Sequence, residues 1–141
     1  MTVRTQQVVL VLLALPGLYI AGWALADPHS FYVSFPGFGR HWVSPDGPYN
    51  EHLVRDVGGF YLALSVLAVG AIVCPLPAVV FLTGLSWTAF SLPHLAYHAS
   101  HLDHYGTFDS IAEIASLALT LVLGLALLVR QRAGSVSGRS S

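Results

Sequence analysis

Four long apolar runs, separated by links that hold almost all of the charge, leave this chain few ways to fold. A helix needs about 20 mostly apolar residues to cross the hydrocarbon core of a bilayer, and runs of this order lie at 7–26, 57–74, 78–97 and 110–129. Glu113 alone places a charge inside any of them. Cys74-Pro75-Leu76-Pro77 joins the second run to the third, and its two prolines end one helix and open the next. Charged residues make up 9% of the 141, against about 25% in soluble domains.

The expected fold class is therefore all-α. It is a polytopic membrane protein, a single four-transmembrane-helix bundle over 1–133 with an ordered outer loop at 27–56 between helices one and two. A disordered cytoplasmic tail is expected at 134–141, which is rich in Ser and Gly. Gly17, Gly22, Gly58, Gly59, Gly84 and Gly124 are expected to be points of close helix approach. The first run also carries signal-peptide features, with Arg4 before it and Ala24-Leu25-Ala26 at its end. Its length and its two glycines favour a retained helix. Cys74 is expected to be a small apolar packing residue.

The arginines orient the bundle. Arg4, Arg130, Arg132 and Arg139 flank the outermost runs, so both termini are expected in the cytoplasm of a cell-membrane protein. All seven acids and all seven histidines then fall on the outer side with Arg40 and Arg55. Six Arg against seven acids give no basis for nucleic acid as a partner.

Three polar groups stand out on that side. His94, His98 and His101 follow one another at i, i+4 and i+7, extending a stripe from Thr83, Trp87 and Phe90, with Pro93 at their start. Imidazoles one turn apart can share a metal, so His94, His98 and His101 are the candidate metal ligands; interfacial histidines satisfied by solvent are the plainer alternative.

At the start of helix two, Asn50 is a candidate cap, Glu51 and Arg55 an ion pair, and His52 and Asp56 another. These residues serve either as caps and salt bridges or, with Tyr97 and Glu113, as a ligand pocket.

In the last run, Asp109, Glu113, Ser116 and Thr120 make a polar stripe. Ser110 and Glu113 also fit a capping box. An ionisable residue in a membrane helix marks a functional site by default, so Glu113 and Arg55 are the candidate catalytic residues. The expected partner of Glu113 is Arg55, His94 or His98. The aromatic loop from Asp27 to Trp42 reads as an interfacial strap or a lid, followed by a turn at Ser44-Pro45-Asp46-Gly47-Pro48.

The pattern Asn50-Glu51-x3-Arg55-Asp56-x-Gly58-Gly59 opening helix two, with histidines ending helix three, resembles the small four-helix DoxX-like membrane proteins. The resemblance covers the hydrophobic plan of nearly the whole chain and transfers no catalytic residue. It implies a link to quinone-dependent oxidation of sulfur compounds, as in some relatives.

Three functions follow from these features. One is a redox or metal-handling protein binding a transition metal or haem through its histidines. Another is an accessory subunit docking a membrane protein partner or a second copy of itself in the lipid bilayer. The third is a small enzyme whose lipid-soluble substrate, such as a quinone, meets Glu113 and a histidine as acid and base.

Overall fold

The computed structural model describes residues 1–129. The expected tail at 134–141 lies outside the described residues, as do Arg130 and Arg132. Among the described residues, four helices are long and apolar enough to cross a membrane: α1 (Val3–Ala26), α3 (Glu51–Val73), α4 (Pro77–Ala99) and α5 (Thr107–Leu128). The chain is an all-α, multi-pass membrane protein.

Local chemistry sets the helix ends. The Thr2 hydroxyl accepts from the Thr5 amide at the start of α1, and the Asn50 side chain accepts from the Leu53 amide at the start of α3. That cap starts α3 at Glu51, well before the apolar run at 57, so the first turns of α3 are polar. Pro77 takes the first turn of α4, where no intrahelical partner for its missing N–H is needed. Helix α4 then continues through Pro93 to Ala99. Helix α5 starts at Thr107, without a side-chain cap, and the Ser110 hydroxyl donates to the Gly106 carbonyl. The capping box expected of Ser110 and Glu113 is absent there, because the helix begins a turn too early for it.

The helices pair off, α1 closely against α3 and α4 closely against α5, with looser packing between the pairs. Small residues permit both close pairings. A methyl group at Gly17 would collide with the Ser65 hydroxyl, and one at Gly84 would stand 2.7 Å from Leu127 Cβ. Gly58 and Gly124 are similarly crowded, whereas Gly22 and Gly59, expected to be close-approach points, face open space among the described residues. Leu10, Leu13, Ala68 and Trp87 form the centre of the main core, and the Trp87 indole N–H donates to the Leu64 carbonyl at 3.2 Å. Cys74, expected as a packing residue, is exposed in the α3–α4 turn, because the two prolines beside it hold the link off the bundle.

The segment between α1 and α3 is an ordered cover over one end of the bundle. Asp27 caps a short helix α2 (Pro28–Ser34) through the Ser30 amide. A two-residue antiparallel ladder follows, with β1 (Pro36–Gly37) against β2 (Arg40–His41), and then a 3-10 turn at Ser44–Asp46. The hairpin tip needs left-handed backbone at Gly37, Phe38 and Gly39, and two glycines supply most of it. Phe31 packs with Ala24 and Val54 into a second small core under this cover.

Candidate functional site

The loose junction between the helix pairs forms a partly open cavity of about 790 Å³. Helix periodicity explains its walls. On α5, Glu113, Ser116 and Thr120 recur at helical spacing and all line it; on α4, Trp87, His94 and His98 do the same. Tyr61 of α3 and Ile20 of α1 close the sides, and Phe35 and Trp42 of the outer segment roof it. The polar residues gather near the roof, and most of the remaining wall is aromatic or aliphatic.

Glu113 is the centre of the polar end. It is only 3% exposed, and its Oε1 lies 2.8 Å from His98 Nδ1. Its Oε2 is buried without a hydrogen-bond partner among the described residues, and His98 Nδ1, although close to Oε1, is not aligned to form a hydrogen bond with it. The carboxylate of Asp46 approaches the same His98 nitrogen at 3.8 Å. The His94 ring meets the His98 ring edge-on, with centroids 4.8 Å apart, and lies 5.1 Å from that of Phe90. An imidazole touching a buried carboxylate can hold or pass a proton, which is the elementary requirement for general acid–base chemistry.

A second layer of hydrogen bonds holds the roof on this end. The Tyr105 hydroxyl donates to Asp46 Oδ1 at 2.9 Å and lies 2.6 Å from the Trp42 carbonyl. Burial first, and then the Asp46 hydrogen bond and neighbouring carboxylates, push the Tyr105 phenol above its ordinary range, so it remains a neutral donor. Asp109 accepts from the Trp42 indole at 3.0 Å and from Arg40 at 3.2 Å, and the Arg40 guanidinium also covers the Phe108 ring. Asp109, the first residue of the expected stripe, thus anchors the roof rather than the cavity wall.

Of the expected pocket residues, Glu113 is in place and the rest are elsewhere. Glu51, His52, Arg55, Asp56 and Tyr97 do not line the cavity. Arg55 donates to Glu51 at 2.8 Å and to the Leu25 carbonyl at 2.7 Å, and His52 pairs with Asp56 at 3.4 Å. These four residues cap and tie the exposed first turns of α3, because Asn50 starts the helix early and lifts them away from the bundle interior. The partner of Glu113 is His98, and Arg55 is engaged with its own helix and the end of α1.

Of the expected metal ligands, His94 and His98 lie together and His101 does not join them. The His101 ring stacks on Tyr97 at 4.2 Å and contacts the Tyr97 carbonyl, just beyond the end of α4. The helix stops at Ala99, so His101 leaves the face that His94 and His98 share. Among the described residues, no three His, Cys, Asp or Glu side chains are grouped to hold a metal ion.

Asp46, Tyr61 and Tyr105 are site residues that no sequence pattern singled out, whereas Trp42 ends the aromatic loop expected as a strap or a lid. Tyr61 was accessible from spacing, since Val54, Val57 and Tyr61 share one face of α3. Asp46 sits in a turn, where an acid carries no periodic signal.

Compared with protein-family models, with curated proteins and with solved structures, the chain matches none of them.

Proposed function

We propose that this membrane protein takes a lipid-soluble substrate of the quinone–quinol type into the bundle and exchanges a proton with its head group through Glu113 and His98. One observation carries this function: the buried Glu113–His98 contact at the polar end of an otherwise largely apolar cavity. Small-molecule sites are commonly of about 300–1,000 Å³, mostly apolar, with a few convergent polar groups. The aromatic walls suit a ring, the aliphatic walls a hydrocarbon chain, and the carboxylate–imidazole pair supplies an acid and a base.

A metal or haem role draws no support from the donor geometry, since His101 is turned onto Tyr97 and no three His, Cys, Asp or Glu side chains group to hold a metal ion among the described residues. The DoxX-like layout, with its quinone-linked relatives, is compatible with a quinone-type substrate. The charge asymmetry supports an orientation with both termini in the cytoplasm and the polar end of the cavity on the outer side of the cell membrane.

The test is a titration of the full-length protein in lipid nanodiscs with a short-chain quinone and, separately, its quinol. Trp42 and Trp87 line the cavity, so tryptophan emission reports occupancy. Saturable quenching by either form, weakened in Glu113→Gln, is the expected result. Quenching that never saturates with either form, and is equal in both proteins, overturns the proposal.

A further inference from the structure

We infer that the cavity selects a head group that donates a hydrogen bond, such as a phenolic hydroxyl, and discriminates against the same molecule with that hydroxyl capped. The inference rests on the cavity being a ligand site, and it comes from an account of which polar atoms around it are already engaged. Glu113 Oε2 is buried and has no hydrogen-bond partner among the described residues. Oε1 faces His98 Nδ1 at 2.8 Å, so Oε2 is the carboxylate oxygen left toward the cavity, and a carboxylate oxygen accepts.

The nearby donors, by contrast, are largely consumed inside the protein. The Ser116 hydroxyl donates to the Glu113 carbonyl and the Thr120 hydroxyl to the Leu117 carbonyl, both at 2.8 Å. Neither hydroxyl has a proton left to give; Thr120 already accepts from the Ser91 hydroxyl at 3.5 Å, and each keeps at least one lone pair. The Trp87 and Trp42 indole N–H groups are committed to Leu64 and Asp109, and the Tyr105 hydroxyl to Asp46. His94, His98 and Tyr61 can each give or take a hydrogen bond and so impose no preference.

The polar end is thus rich in acceptors and poor in donors. A head group carrying O–H meets the Glu113 oxygen and relieves its desolvation; an ether or a bare carbonyl leaves that oxygen buried and unsatisfied. Leaving such a group unpaired costs enough to weaken binding roughly ten- to hundredfold. For a quinone–quinol pair, the reduced form is the preferred ligand.

The experiment compares para-dodecylphenol with its methyl ether, titrated into the full-length protein in nanodiscs and followed by tryptophan emission. The two probes share chain and ring and differ in one donor. Wild type is expected to bind the phenol roughly ten- to hundredfold more tightly than the ether. In Glu113→Gln the gap narrows, because the amide can turn its N–H toward an ether oxygen. Equal and saturable binding of both probes by wild type overturns the inference while leaving the cavity as a ligand site. Failure of wild type to bind either probe, together with the quinone and quinol of the preceding test, overturns both. The decisive comparison uses wild type alone, so a poorly folding variant does not remove it.

Discussion

Glu113 Oε1 of α5 lies 2.8 Å from His98 Nδ1 of α4, and this contact joins the two helices at the polar end of the cavity. Both side chains are largely withdrawn from solvent. Removing one member of a buried polar pair leaves the other unsatisfied and typically costs about 1–3 kcal/mol. The milder Glu113→Gln and His98→Asn, and the double variant, form a cycle measured by unfolding in detergent. A coupling of about 0.5–3 kcal/mol is expected for residues in contact; strict additivity would mean that the pair does not interact.

Tyr105 provides a pH dependence. Burial chiefly, with the Asp46 hydrogen bond after it, holds its phenol above the ordinary tyrosine range. A raised folded-state value favours the protonated form, so its contribution is complete below pH about 10 and is lost as pH rises beyond that. Thermal stability of wild type is expected to fall more steeply above pH about 10 than that of Tyr105→Phe. At neutral pH the same variant loses about 1–3 kcal/mol, because Asp46 Oδ1 and the Trp42 carbonyl lose a donor. Parallel alkaline limbs for the two proteins would refute the assignment.

Asp109 pins the roof through two different partners, Trp42 and Arg40. The Arg40 ion pair is partly solvent-exposed, with side chains 41% and 23% accessible, so screening leaves it worth only about 0.2–1 kcal/mol. Asp109→Ala removes both contacts and Arg40→Ala one. Amide hydrogen exchange across residues 36–46 is therefore expected to accelerate more in Asp109→Ala. An equal response would place the anchoring in Arg40 alone.

Two glycines separate crowding from helix propensity. At Gly17 a methyl group meets the Ser65 hydroxyl and the Trp87 ring, whereas at Gly59 it meets nothing within 4 Å among the described residues. Gly17→Ala is expected to destabilise the bundle by about 1–3 kcal/mol. Gly59→Ala should be neutral or stabilising by up to about 1 kcal/mol, since alanine is the better helix former. Unfolding midpoints in one detergent distinguish the two, and equal shifts would mean that α1 and α3 do not touch at Gly17.

His101 separates the cavity from the metal-ligand pattern. It stacks on Tyr97 outside the cavity, whereas His94 lines it. His101→Ala is expected to leave quinol binding within about twofold of wild type, with His94→Ala weakening it about tenfold, the scale of one lost polar contact. A comparable loss in both would restore His101 to the site.

Apolar run length by itself determined the four spans of this protein, and the spacing of Glu113, Ser116 and Thr120, and of Trp87, His94 and His98, determined which faces turn inward. Both are properties of one helix at a time: a run either matches the bilayer or does not, and a period of 3.6 residues assigns side chains to a face. Only the tertiary structure decided which faces meet. The close pairing of α1 with α3 and of α4 with α5 brought His98 to Glu113. The early start of α3 at Glu51 carried Arg55 out to solvent, and the end of α4 at Ala99 detached His101 from the histidine face. Asp46 and Tyr105 came to the site through a folded cover and a short loop. Non-periodic segments encode no face, so their contacts emerge only when the helices beneath them are packed.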